Sequence, residues 1–254
     1  MRFTCLGSGS RGNAWLVEAG GTRVLIDCGF GPREMARRLA RRGVAADTVQ
    51  AVVLTHEHGD HAQGALRFAA RYDTQLWMTA GCSDMLALDE THRARLHRVL
   101  AQRPFAIGAL HFTPYALPHD AREPVHYVVS DGRVRLGMLS DAGHVDANML
   151  ARLSGCDALV LECNHDRQML QQGRYPGWLK ARILGPQGHL DNAAAAELLR
   201  RIDTRRLRHV VAAHLSAENN TPQRARAALA SALDCRPDEI AVADQDAGLD
   251  WCSL

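Results

Sequence analysis

Short apolar runs, spaced along the whole chain, predict a fold built on β-strands. The runs are rich in Val, Ile and Leu and are separated by glycine turns, which is typical of buried strands in layered α/β proteins. The runs that we interpret as strands are 3–6, 14–18, 22–26, 51–54, 75–78, 110–115, 125–130, 134–139, 158–162 and 207–213. The Asp-Gly pair at 131–132 joins two of them and predicts a β-hairpin.

Segments with helical periodicity lie between these strands. The clearest begins at Pro32 and ends near Arg42, because proline suits the first turn of a helix and Gly43 suits the position after the last turn. Other helices are expected at 62–71, at 81–88 and from 192 onward. The alternation indicates an α/β fold, and no linker or low-complexity tract divides the chain, so we expect a single domain over residues 1–254.

Five arginines cluster on one side of the first predicted helix. They are Arg33, Arg37, Arg38, Arg41 and Arg42. We interpret this side as a solvated face, and contact with a phosphate backbone is the alternative.

Composition supports a sizeable core and excludes some classes of protein. The chain has 254 residues, 46% of them hydrophobic, and a net charge of +2, so the molecule as a whole does not attract nucleic acid. No apolar stretch approaches the roughly 20 residues of a membrane span, and the first residues resemble a strand rather than a secretory signal. The seven cysteines are scattered and form no Cys-x-x-Cys pair, which predicts a reducing, cytoplasmic location.

Metal-ligand chemistry is concentrated in one stretch that follows the strand at 51–54. Three histidines and an aspartate lie within six positions: His56, His58, Asp60 and His61. Imidazole and carboxylate without thiolate favour a hydrolytic zinc, manganese or iron centre over a structural site. Ligands also collect at the carboxyl ends of strands in layered α/β folds. These residues predict a two-metal site, and a histidine-rich loop without metal is the alternative.

The motif His56-x-His58-x-Asp60-His61 after a hydrophobic strand resembles the signature of the metallo-β-lactamase fold. Asp27 stands where that family carries an early aspartate. The resemblance implies an αββα sandwich of two mixed β-sheets flanked by helices. It also implies later ligands at strand ends. The implied sets are His56, His58 and His119 for one ion, Asp60, His61 and His214 for the other, and Asp141 as the bridge.

Such a site implies two divalent metal ions, roughly 3.5–4 Å apart, that share and activate one water molecule. We expect zinc or manganese, and iron is the third metal that this ligand set accepts. Asp60 is expected to act in catalysis as well as in metal binding. For His119 a surface histidine is the alternative reading, and for Asp141 a turn or helix-capping aspartate is.

His189 is the candidate acid for the leaving group. Gly188-His189 lies about 25 residues before His214, where ribonuclease Z-like enzymes of the family carry a Gly-His acid, and it opens a helix whose N-terminus favours phosphate. A histidine that only enters the helix is the alternative. The segments 164–166, 175–183, 188–192 and 214–220 resemble the YycJ (WalJ) group, compact enzymes described as nucleases acting on DNA. Asp191 departs from that pattern, because serine is expected there, and it adds negative charge near the proposed phosphate site.

We therefore expect a dinuclear phosphodiesterase that hydrolyses nucleic acid, DNA rather than RNA, as an exonuclease. The chain lacks the β-CASP insertion of ribonuclease J, so substrate affinity must come from the body of the fold. Candidate substrate contacts are Arg174, Lys180, Arg182, Asn192, Asn219 and Asn220. For the three cations a solvated helix is the alternative. A glyoxalase II-like or lactonase-like hydrolase of small esters or thioesters is the alternative enzyme and would not need His189. A non-catalytic scaffold on the same fold is the third hypothesis.

Overall fold

Fourteen strands and ten helices make up the computed structural model, which describes residues 1–254. The strands are β1 Arg2–Gly7, β2 Ala14–Ala19, β3 Thr22–Ile26, β4 Ala51–Val53, β5 Gln75–Met78, β6 Leu96–Arg98, β7 Phe105–Ile107, β8 Leu110–Ala116, β9 Val125–Ser130, β10 Arg135–Leu139, β11 Ala158–Glu162, β12 His209–Ala213, β13 Ala241–Val242 and β14 Leu249–Ser253. The helices are α1 Pro32–Arg41, α2 Gly59–Ala62, α3 Ala65–Tyr72, α4 Ala80–Met85, α5 Glu90–Arg93, α6 Ala147–Leu153, α7 Arg167–Gln172, α8 Gly177–Ile183, α9 Asn192–Arg201 and α10 Pro222–Leu233.

The strands form two seven-stranded mixed sheets. The first has the order β14-β1-β2-β3-β4-β5-β6, and the second has the order β13-β12-β11-β10-β9-β8-β7. In each sheet one half is antiparallel and the other half, β3 to β6 or β10 to β13, is parallel. The parallel halves matter for function, because their carboxyl ends lie at one edge of each sheet.

Three apolar layers hold the two sheets and the helices together. Successive side chains of a strand point to opposite faces, so Val24 and Ile26 of β3 enter the layer between the sheets while Leu25 packs against the outer helices. In β11, Val160 lies between the sheets and Leu161 faces α9 and α10. This arrangement confirms the predicted αββα sandwich.

Every strand predicted from the sequence is present, and the hairpin of β9 and β10 is antiparallel as expected. The short strands β6, β7, β13 and β14 were not predicted, because they have two to five residues and little apolar patterning. The helix expected at 62–71 is divided into α2 and α3 around Gly64. A side chain at Gly64 would collide with the carbonyl oxygen of Phe30, so this glycine allows the chain to pass close to the loop after β3.

Arg38 corrects the interpretation of α1 as a fully solvated arginine face. The side chain of Arg38 is only 6% exposed, and its guanidinium donates to the carbonyl oxygens of Leu6 and Gln245 and to the carboxylate of Glu34. It also lies 3.9 Å from the ring centre of Phe30. Arg38 therefore fastens α1 to the sheet, and the other arginines of the helix remain at least partly exposed.

The helices are all too short or too polar to span a bilayer. All seven cysteines are free thiols, and five of them are buried.

Tyr127 provides a test of how the sheets are joined. Its buried hydroxyl donates to the carbonyl oxygen of Leu54 at 2.7 Å, which ties β9 of the second sheet to the end of β4 in the first. Tyr127→Phe leaves a buried carbonyl without this partner, so we expect a loss of about 1–2 kcal/mol in the free energy of unfolding, measured by urea denaturation. Tyr72→Phe, at a half-buried tyrosine of α3, is the control. Equal stability of the Tyr127 variant and the parent protein would contradict this role.

Candidate metal centre

The sheet edges bring the predicted ligands together. His56 and His58 follow β4 of the first sheet, and Asp60 and His61 lie in the short helix α2. His119 follows β8, Asp141 follows β10 and His214 follows β12, all in the second sheet. Residues that are up to 158 positions apart in sequence, from His56 to His214, therefore meet where the two sheets end side by side.

Three residues that follow the carboxyl ends of strands adopt left-handed backbone conformations. Asp27, Asp141 and His214 have φ angles of 62°, 58° and 54°. This conformation costs a residue with a Cβ atom about 1 kcal/mol or more, and such strain concentrates at functional sites. The sharp turn brings each side chain back over the end of its strand.

One group of ligand atoms belongs to His56, His58 and His119, whose candidate atoms all lie within 4.8 Å of one another. Nδ1 of His58 lies 3.2 Å from Nε2 of His119, and the ring centre of His56 lies 4.7 Å from that of His58. His56 and His119 are buried, and His58 is partly open to solvent.

The second group consists of Asp60, His61 and His214. Oδ2 of Asp60 lies 3.4 Å from Nε2 of His61 and 3.5 Å from Nε2 of His214. Asp141 lies between the groups, because it also forms a compact set with His56 and His61. Its Oδ2 lies 3.2 Å from Nε2 of His61. The seven residues that the resemblance named as ligands therefore lie close together, and their role as metal ligands stays a prediction.

Hydrogen bonds on the far side of the ring fix the imidazoles of His56, His61 and His119. Nδ1 of His61 donates to Asp27 at 2.8 Å, and Nδ1 of His119 donates to the carbonyl oxygen of Gln187 at 3.2 Å. Thr55 donates its hydroxyl hydrogen to Asp27, so this hydroxyl oxygen accepts from Nδ1 of His56 at 2.9 Å. Because Nδ1 carries the hydrogen in each case, Nε2 is left as the lone-pair atom that a metal ion needs.

Glu162 is a functional residue that the sequence reasoning missed. It is fully buried at the end of β11, between the strands that supply Asp141 and His214. Its Oε1 accepts from Nδ1 of His189 at 2.7 Å and from Nδ1 of His214 at 3.4 Å, and its Oε2 accepts from the backbone amides of Ala142 and Leu190. A lone carboxylate at the end of an otherwise apolar run was the available signal.

The loop 7–13 packs directly against the site. The Ser8 hydroxyl accepts from the backbone amide of His214 at 2.8 Å. Nδ2 of Asn13 donates to Oδ2 of Asp60 at 3.2 Å and lies 3.1 Å from Nε2 of His61. Gly29 lies directly against this region, because a side chain there would collide with the carbonyl oxygen of Asp60.

The donor set fits divalent cations. Nε2 of His56, Oδ2 of Asp141 and Nε2 of His214 are buried and have no hydrogen-bond partner, although leaving such an atom unpaired costs about 1–3 kcal/mol. Burial lowers the pKa of His56 well below its ordinary value, which keeps this imidazole neutral and able to coordinate. Burial alone would raise the pKa of Asp60, but the adjacent rings of His214 and His61 hold that pKa far below its ordinary value. Neutral imidazoles and ionised carboxylates are the species that bind metal.

A cavity of about 210 Å³ opens beside the centre and is a candidate for the substrate. It is lined by Ser10, Asn164, Tyr175, Leu179, Arg182, Ile183, His189 and Ser216. Of the predicted cationic contacts, only Arg182 lines this cavity, and its guanidinium also pairs with Asp120 at 2.7 Å. Arg174 is paired with Glu218 at the surface, and Lys180 donates to the carbonyl oxygen of Gln171.

The three predicted asparagine contacts need correction. The amide groups of Asn192 and Asn220 are buried and hydrogen-bond to each other at 2.8 and 2.9 Å, so neither faces the cavity. Asn219 is 1% exposed and does not line the cavity. The role that the structure gives to Asn192 and Asn220 is to hold the start of α9 against the loop after β12.

Asp191 is accounted for by two contacts. Its carboxylate caps α9 by accepting from the backbone amide of Ala194 at 2.7 Å, and it pairs with Arg167 at 2.9 Å. The negative charge that the sequence places near His189 is thereby balanced, and the residue acts as a helix cap.

Comparison with known proteins agrees with this geometry. Residues 22–214 match the family model described as the beta-lactamase superfamily domain, so the chain belongs to this superfamily. Zinc-bound PqqB from Methylobacterium extorquens has a TM-score of 0.74 at 18% identity, and human tRNase Z, short form, has a TM-score of 0.68 at 16% identity. Both alignments cover 100% of this chain, together with 100% of the PqqB chain and 99% of the tRNase Z chain, and these likenesses establish the metallo-β-lactamase fold.

Proteins that are similar in sequence show which members of the superfamily the chain resembles. It is 29% identical over 238 residues to exodeoxyribonuclease YycJ of Bacillus anthracis, which covers 92% of this chain and 89% of the relative. It is 28% identical over 257 residues to exodeoxyribonuclease WalJ of Streptococcus pneumoniae, with 99% and 92% covered. The protein is thus a hydrolase of the metallo-β-lactamase fold, similar along nearly its whole length to the YycJ/WalJ enzymes.

Asp141→Asn tests the proposed bridge between the two ligand groups. The amide has nearly the same shape but no negative charge, so it is a weaker ligand for a divalent cation. We expect the variant to lose at least one of the metal ions that each chain of the parent protein retains. Metal content after dialysis, measured by inductively coupled plasma mass spectrometry, gives the result. His111→Ala, at an exposed histidine of β8, is the control and should keep the parent content. Parent-level metal in the Asp141 variant would rule out a bridging role.

Asp27→Asn tests the support of His61. We expect affinity for one of the two ions to fall about 10- to 100-fold, because the imidazole loses the carboxylate that orients it. Competition with a chromophoric chelator measures the change, and Asp47→Asn at an exposed position is the control. Unchanged affinity in the Asp27 variant would mean that the hydrogen bond does not contribute to binding.

Proposed function

We propose that the protein is a metal-dependent phosphodiesterase that degrades nucleic acid, most specifically a DNA exonuclease. The observation that carries this proposal is the position of His189, which lies between both ligand groups and the cavity. Its ring centre is 5.4 Å from those of His119 and His214, and its side chain lines the cavity. A hydrolase of small esters would have no need for a proton donor at this place.

Two divalent ions, zinc or manganese with iron as a third choice, would be held by the seven proposed ligands. His56, His58 and His119 would hold one ion, Asp60, His61 and His214 would hold the other, and Asp141 would contact both. When bound, such ions supply Lewis acidity and lower the pKa of coordinated water.

His189 is suited to give a proton to the departing sugar oxygen. Because Nδ1 of its ring donates to Glu162, Nε2 is the nitrogen that is free to act toward the substrate. Burial lowers the pKa of His189, but the nearby Glu162 carboxylate outweighs burial and raises that pKa above its ordinary value. A sugar alkoxide is a poor leaving group, so a proton supplied at this atom accelerates phosphodiester cleavage.

Asp60 is proposed to orient the attacking water in addition to binding metal. Its carboxylate is partly open, at 25% exposure, and Asn13 and His214 hold it toward the cluster. Arg182 at the cavity wall is proposed to contact a substrate phosphate, since guanidinium pairs well with phosphate oxygens.

DNA is favoured over RNA by the extent of the similarities. The relatives named exodeoxyribonucleases align over 92% and 99% of this chain, whereas a ribonuclease Z of Methanopyrus kandleri aligns over 23%. The seven free thiols support the proposal of a reducing, cytoplasmic location.

The experiment is cleavage of end-labelled single- and double-stranded DNA and RNA by the purified protein with Mn²⁺ or Zn²⁺. We expect mononucleotides to be released progressively from an end of DNA. Release of internal fragments would contradict the exonuclease assignment and indicate an endonuclease. Cleavage of RNA alone would contradict the DNA assignment. Absence of cleavage of all four substrates, together with hydrolysis of a lactone or thioester, would overturn the proposal.

His189→Ala tests the proton donor. We expect DNA hydrolysis to fall about 10²-fold or more while metal content stays at the parent level. The matched control is the p-nitrophenyl ester of thymidine 5′-monophosphate, whose leaving group needs no proton and should therefore show a much smaller loss. Equal losses on both substrates would show that His189 does not act as the acid.

A further inference from the structure

Trp178 is the most exposed of the large hydrophobic side chains, at 70% of its surface. It lies in α8, the helix that forms one wall of the proposed substrate cavity. An indole left in water forgoes the stabilisation that burial of a large apolar side chain provides. Neither the metal centre nor the packing of α8 uses this side chain.

The position of Trp178 is fixed relative to the cavity. Its neighbours Tyr175 and Leu179 line the cavity, and Arg182 lies one helical turn further along, on the same side of α8 as Trp178. Arg182 is in turn anchored to Asp120, whose Oδ1 lies 3.5 Å from Nε2 of the ligand His119. Trp178 itself does not line the cavity, but it lies next to residues that do, on a helix tied to the metal centre.

The charge of this segment indicates what kind of partner it meets. Residues 174–184 contain three cations, Arg174, Lys180 and Arg182, and no acidic residue; the two arginines pair with carboxylates outside the segment. Two aromatic side chains, Tyr175 and Trp178, alternate with them. Cationic side chains that follow a phosphate backbone, interleaved with aromatic rings that stack on bases, are how proteins bind single-stranded nucleic acid without reading its sequence.

We propose that Trp178 is a base-stacking platform for a single-stranded nucleic acid as it enters the cavity, with one unpaired base resting on the indole outside His189. This inference rests on the proposed nuclease function and adds to it a requirement for an unpaired strand. Within a duplex the internal base faces are covered by stacking, so a single-stranded end, or a duplex end that has frayed, is the form that engages the site.

The test compares Trp178→Ala, Trp178→Phe and the parent protein, each loaded with Mn²⁺, for binding to a phosphorothioate oligothymidylate measured by fluorescence anisotropy. We expect Trp178→Ala to weaken binding about 5- to 150-fold, and Trp178→Phe to retain most of the affinity, because stacking needs an aromatic ring. Met85→Ala, at another exposed side chain with 61% exposure, is the control and should bind like the parent. On cleavable single-stranded DNA the loss should fall on KM rather than on kcat.

A second arm uses oligomers that carry one abasic residue at successive positions. At the contact position the abasic residue should weaken binding to the parent but not to Trp178→Ala, because the two changes remove the same contact. Equal affinity of Trp178→Ala and the parent would overturn the inference while leaving the nuclease function intact. So would loss of self-association in Trp178→Ala with unchanged affinity for DNA, since the indole would then serve an interface between copies. A parent protein that neither binds nor cleaves nucleic acid would refute the proposed function itself.

Discussion

The metal centre contains several buried polar atoms that have no hydrogen-bond partner within the protein. Nε2 of His56, Nε2 of His214 and Oδ2 of Asp141 lie in the interior without hydrogen-bond partners. Asp27, Asp141 and Glu162 are also buried there, and a carboxylate in a region of low dielectric is costly without positive charge beside it. Bound cations would relieve both costs at once, so the fold and the proposed metal chemistry are linked by the same electrostatic demand.

Glu162 connects the metal centre to the proposed proton donor. One carboxylate holds His214, a proposed ligand, and His189, the proposed acid, and two backbone amides hold the carboxylate in turn. The relative position of the two rings is therefore set by a buried group at the end of a strand rather than by a surface loop. Such rigid support suits a reaction in which a proton must be delivered to one particular oxygen atom.

Most of the strands and the grouping of candidate ligands could be predicted from the sequence, whereas the roles of several buried polar side chains could not. Fully buried strands such as β11 and β12 are recognisable as apolar runs, and histidines grouped after β4 leave few interpretations other than metal binding. Asn192 and Asn220 were misassigned because an amide that pairs with a distant amide looks, in one dimension, like an amide that is free for substrate. The burial of Arg38 and the place of Glu162 in the site could not be predicted for a similar reason. Burial of a charge is decided by tertiary partners and leaves no periodic pattern in the sequence.

Anomalous diffraction from crystals grown with Mn²⁺ or Zn²⁺ tests whether the two ligand groups at the edge of the two sheets each bind an ion. We expect two separate anomalous peaks, one among His56, His58 and His119 and one among Asp60, His61 and His214, with Asp141 in contact with both. A single peak, or peaks at any other side chains, would contradict this expectation.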